Sequence, residues 1–193
     1  MSGNPEIRHV LPVLLTLLVG CDSEAPTVLE NEGLAARADA ADRTLLLARL
    51  AAQGNSHSNG IVLIEIVGGD LTVSLHAGGL EPLHIIPQHL HVNPTCNPGG
   101  GILLNLDANL TVPGEGPGVG PDYPVSNHGG VVNYHASRSL TDLLAAVNTY
   151  QGAGLTSVEA LLAWLDLEDR NTHMHTPDAP FPAITCGAID RIN

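Results

Sequence analysis

The stretch GIVLIEIVGGDLTVSLHA (60–77) decides the fold class. It holds two apolar or alternating runs, and in the second Leu71, Val73, Leu75 and Ala77 are interleaved with Asp70, Thr72, Ser74 and His76. That period of two marks a strand with one buried face. Gly68-Gly69 between the runs is a two-residue hairpin signal, because the tight turn that matches strand twist needs positive φ at both central residues. Upstream, TLLLARLAA (44–52) is a third run, separated by QGNSHSN (53–59). Three antiparallel strands are expected. HLHVNPTC (89–96) then falls on a fourth, and ILLNL (102–106) on a fifth, inside an otherwise loop-like Gly-Pro region from 97 to 130. A loop region that long in a compact domain is a candidate functional element.

Two helical patterns follow, SLTDLLAAVNTY (139–150) and TSVEALLAWLDLEDR (156–170). In the second, Thr156 and Glu159 have capping-box spacing, and Leu161, Leu162 and Leu165 form an apolar stripe. NTHMHT (171–176) and AITCGAI (183–189) read as closing strands. The expectation is an all-β sandwich or barrel carrying two inserted helices.

A chain of 193 residues suits one domain with a sizeable core. It carries 20 acidic residues against 7 basic ones, every one of them Arg, which argues against nucleic acid or an anionic membrane surface as partner. The segment 1–21 has a polar start, an apolar run from Val10 to Val19, and Leu18-Val19-Gly20-Cys21 at its end. It reads as a signal peptide whose last residues resemble a bacterial lipobox, so Cys21 is the expected lipidation site. Residues 22–42 then form a flexible tether and 43–193 the β domain, exported and held at a bacterial membrane through the N-terminal lipid alone, in the periplasm or outside the cell. In that oxidising setting the two remaining cysteines, Cys96 and Cys186, are expected to form a disulfide.

Side chains alternate across a strand, so His89 and His91 share one face, as do His173 and His175. Neutral imidazoles arranged this way suit copper, zinc, iron or nickel, and tetragonal nitrogen ligation favours Cu(II).

Two further stretches carry a family resemblance. GGLEPLHIIPQHLHVNPTCNP (78–98) and HMHTPDAPFPAITCGAID (173–190) resemble the copper-zinc superoxide dismutases, above all the exported bacterial branch. The resemblance spans roughly Thr44 to Cys96 and Asn171 to Ile189, about half the chain. It implies a Greek-key β-barrel, a Cys96–Cys186 bridge, and copper held by His89, His91 and His175. His173 lies outside the family pattern and is a candidate extra ligand. NHGGVVNYHASRSL (127–140) resembles the zinc loop, which makes His128 the bridging or zinc histidine and His135 the next zinc histidine.

The chain also departs from that pattern. Where the zinc aspartate is expected it has Arg138, with only Asp122 or Asp142 as substitutes after rearrangement. No histidine lies between Cys96 and His128, and the arginine expected over the copper is replaced by Ala183. Copper is therefore the expected cofactor and zinc the weaker expectation. Two readings follow: a dismutase converting superoxide to oxygen and hydrogen peroxide, or a non-enzymatic domain that holds or hands over copper ions. The sequence sets no oligomeric state.

Overall fold

The computed structural model describes residues 43–96, 100–116, 122–176 and 182–193. The expected signal peptide, Cys21 and the tether lie outside the described residues. Among the described residues eight strands are formed: β1 (Thr44–Ala52), β2 (Asn59–Val67), β3 (Asp70–Gly78), β4 (Gln88–His91), β5 (Ile102–Asn105), β6 (Val132–Ser139), β7 (Asn171–His175) and β8 (Ala183–Arg191). Between β6 and β7 lie α1 (Leu140–Ala146), which runs on into a π-helical turn at Val147–Gln151, and α2 (Val158–Leu165), followed by a 3-10 turn at Leu167–Asp169.

The strands pair in the order β5-β4-β7-β8-β1-β2-β3-β6 in one antiparallel sheet curled into a half-barrel. The hairpin forms where the glycines place it: Val67 pairs with Asp70, and Gly68 and Gly69 have φ of 59° and 90°. Leu46, Ile64, Val73, Leu90, Leu104 and Met174 belong to one contiguous core. Fully burying a side chain of this size stabilises the fold by about 1.5–3 kcal/mol.

Both helices lie over this core, presenting Leu143, Leu161 and Leu165 to it, and Trp164 packs at its edge. Their caps are serines. Ser139 accepts from the Asp142 N–H, and Ser157 accepts from the Ala160 N–H. Ser157 thus takes the role expected of Thr156, one residue away, because both are hydroxyl residues and the stripe alone does not choose the first turn.

β6 is the element the sequence reading did not name. Val132 and Ala136 are buried and Tyr134 half-buried, so the strand alternates like its partner β3. Gly130 leads into it with φ of 68°, and any Cβ there would collide with the Leu80 carbonyl.

Candidate metal centre

The β4–β7 register sets the site. Gln88 faces Met174, His89 faces His173, Leu90 faces Thr172 and His91 faces Asn171. Directly opposed residues share a face. Leu90 and Met174 therefore enter the core, where Gln88 Nε2 donates to Thr172 Oγ1 at 3.1 Å. His89, His91 and His173 project from the opposite face and are nevertheless buried, with 6%, 7% and 2% exposure. His175, half-buried, follows an irregularity in the β7–β8 pairing, and its N–H donates to the Pro87 carbonyl at 2.8 Å.

The four rings form one cluster. His91 and His173 have centroids 4.4 Å apart, His89 and His175 5.2 Å, and His173 and His175 5.8 Å. One nitrogen from each of His89, His91 and His175 lies within 4.8 Å of the others. Nitrogens bound tetrahedrally to one ion at about 2.0 Å sit about 3.3 Å apart, so small ring movements would close these three on a metal.

The outward hydrogen bonds orient two of the rings, and that of His91 sets its tautomer. His91 Nδ1 donates to the Gly100 carbonyl at 2.9 Å, leaving Nε2 buried with no hydrogen-bond partner. His89 Nε2 lies 3.0 Å from the Tyr123 hydroxyl, and its Nδ1 is buried and unpartnered. Burial, then the charge of Asp107, pushes the Tyr123 hydroxyl well above its usual range, so it stays protonated. Orphaned buried nitrogens are costly unless something binds them. Tyr123 and Gly100 hold the rings as second-layer groups do at metal sites.

Three of the four rings are held uncharged. Burial, then the neighbouring His175, His91 and His173, pushes the His89 pKa down to about 3. Burial, then His91 and His175, pushes that of His173 down to about 4. Burial lowers His91 too, against the raising effect of its hydrogen bond to Gly100. Neutral imidazole is the ligating form.

An acid-sensitive stability follows. The unfolded chain binds protons on these histidines from about pH 6.5 downward, while the folded chain takes them up only near 3 to 4. Their contribution is present above 6.5 and is lost as pH falls toward the folded values. The metal-free protein is expected to lose denaturation midpoint between about pH 6.5 and 5, before carboxylates such as Glu115, held low by Arg138, begin to titrate. A flat midpoint over that window would contradict the arrangement.

The histidines assigned to a zinc loop are elsewhere. His135 is on the outer face of β6, with Nδ1 3.1 Å from Ser74 Oγ, and His128 is exposed in the turn at 127–130. Among the described residues neither joins a group that could hold a metal. Arg138, at the aspartate position, makes a bidentate pair with Glu115 at 2.7 Å, while Asp142 is exposed on α1. Asp122 lends its main-chain carbonyl to the Ala108 N–H.

Cys96 and Cys186 form the expected disulfide, with Cα atoms 5.7 Å apart. His57, His76 and His84 stay outside the histidine cluster. Sequence reading missed Tyr123. Its signal was a lone aromatic in the Gly-Pro loop, in a chain with only 3% aromatic residues. No family model matches this chain, and no curated protein matches it.

Proposed function

We propose that the protein is a copper protein of the superoxide dismutase kind, with copper held by His89, His91 and His175. The observation that carries this reading is the trio of imidazoles whose buried nitrogens converge while Tyr123 and Gly100 occupy the outer nitrogens of two of them. Such a nitrogen set fits copper. The strand order supports a Greek-key barrel: β3 pairs with β6, and β4 pairs with β7, rather than each with the other. The disulfide supports an oxidising compartment, in keeping with export and lipidation at Cys21. Among the described residues no helix is long and apolar enough to cross a membrane.

Bound copper would supply a one-electron couple, which is what dismutation of superoxide to oxygen and hydrogen peroxide needs. The chain's own residues prepare the site. The outer hydrogen bonds orient the rings, burial removes water from the ligand nitrogens, and the low pKa values keep protons from competing with the metal.

A second reading, copper holding without turnover, draws on two observations. His173 adds a fourth imidazole beside His91. Four of the five arginines among the described residues are committed: Arg43, Arg138 and Arg191 pair with carboxylates, and Arg170 donates to the Leu165 and Val92 carbonyls. Copper content and superoxide consumption measured on one sample of the chain beginning after Cys21 separate the two. Stoichiometric copper with turnover supports the dismutase, copper without turnover supports holding, and absence of tight copper defeats both.

Tyr123→Phe tests the supporting shell. Losing the hydroxyl frees the His89 ring, and copper affinity is expected to fall about tenfold with the fold unchanged. Unaltered affinity in a competition titration would mean that Tyr123 does not orient the ligand.

A further inference from the structure

We propose a second metal site, closed in the oxidised protein and opened by reduction, in which the thiolates of Cys96 and Cys186 join His173 to bind a thiophilic cation such as Zn(II) or Cu(I). In the β7–β8 register His173 lies directly opposite Cys186. The two sulfurs and a ring nitrogen of His173 lie within 4.8 Å of one another. While the sulfurs are bonded to each other they are not thiolates, and the site is shut.

The surroundings suit the reduced state. Cys186 and His173 are 1% and 2% exposed, so a ligand set there is shielded from water. His173 Nε2 is buried without a hydrogen-bond partner. Asn171 Oδ1 lies 3.8 Å from the Cys186 sulfur, placed to accept from the thiol that reduction creates. The same Asn171 holds the Cys96 loop independently of the bridge, its Nδ2 donating to the Asn93 and Thr95 carbonyls. Two thiolates with one imidazole are a soft set that prefers Cu(I) or Zn(II), unlike the all-nitrogen set beside it.

The chemistry balances with a dithiol as reductant. The dithiol gives two electrons and two protons to the Cys96–Cys186 bond and closes into its own disulfide, leaving two cysteine thiols. A divalent cation then binds both sulfurs, releases both protons to solvent and keeps its oxidation state.

The site uses none of His89, His91 and His175, shares only His173 with the copper-holding reading, and is read through sulfur alone. The domain is reduced with a dithiol, freed of it anaerobically, and titrated with Cd(II), whose bonds to thiolate absorb in the near ultraviolet. The expected result is one bound cadmium with that absorption in the reduced protein, its absence in the oxidised protein, and a retained β-sheet circular dichroism signal. His173→Ala is expected to weaken the reduced site about a hundredfold. The His89→Ala, His91→Ala protein is expected to keep the absorption whether or not it has lost copper. Three results would overturn the proposal: no thiolate absorption after reduction, equal affinity in His173→Ala, or absorption that accompanies loss of the β-sheet signal.

Discussion

A chain carrying both His89→Ala and His91→Ala is expected to bind no tight copper and to remain folded. The two rings supply two of the three converging nitrogens, and both are buried on the face of β4 away from the core. If each ligand contributes about 3 kcal/mol, a share of the 10–16 kcal/mol typical of four-ligand sites, losing two weakens binding by about four orders of magnitude.

The fold should tolerate the change. The substitutions remove one hydrogen bond to Gly100 and one contact with Tyr123, worth about 1 kcal/mol each, and they also relieve two orphaned nitrogens. Leu90, on the opposite face of the same strand, keeps its place among Leu104 and Met174 in the core. Copper per chain and far-ultraviolet circular dichroism check both halves. Unchanged copper content would place the metal elsewhere.

Replacing Cys96 and Cys186 with serine has the second large expected effect, on stability. The bridge joins residues 90 apart in sequence, and in the chain-entropy treatment closing a loop of that length stabilises the fold by about 4–5 kcal/mol. That is a large part of the 5–15 kcal/mol typical of whole domains. The thermal midpoint should fall by about 10–15 °C, and the urea midpoint should fall with it. The Asn171 bonds to the Asn93 and Thr95 carbonyls keep the loop docked, so the variant is destabilised rather than unfolded at room temperature. A shift under about 1 kcal/mol would mean that the unfolded chain is already compact in this region.

How much of this was legible beforehand depended on the range of the interaction. The β2–β3 hairpin was written locally, since Gly68-Gly69 freely supplies the positive φ that a tight turn needs and the alternation around it gives one buried face. Each H-x-H pair likewise declared a shared face from two residues of spacing. β6 was less visible because its buried positions, Val132 and Ala136, are modest in size and follow a glycine-rich turn. The cap of α2 moved from Thr156 to Ser157 because adjacent hydroxyl residues are nearly equivalent locally and packing chooses between them.

The candidate centre shows the same division. That His89 and His91 face together, as His173 and His175 do, follows from strand geometry alone. Which chain atoms meet those faces does not. His128 and His135 are the weaker, zinc-site candidates in a one-dimensional reading, and the register of β6 on β3 turns His135 toward Ser74, away from the cluster. Tyr123 is 34 residues from His89 in sequence and reaches it only because the chain after β5 returns over the outer face of β4.

By itself the sequence determined an antiparallel β domain, its hairpin, its two helices, its pair of H-x-H motifs and the cysteines available for its bridge, because each is encoded by periodicity, turn chemistry or the count of thiols. Only the tertiary structure decided that four imidazoles converge, that Tyr123 and Gly100 orient two of them, and that His173 lies beside the disulfide. Those contacts join residues far apart in the chain, and strand register, which no local pattern specifies, brings them together.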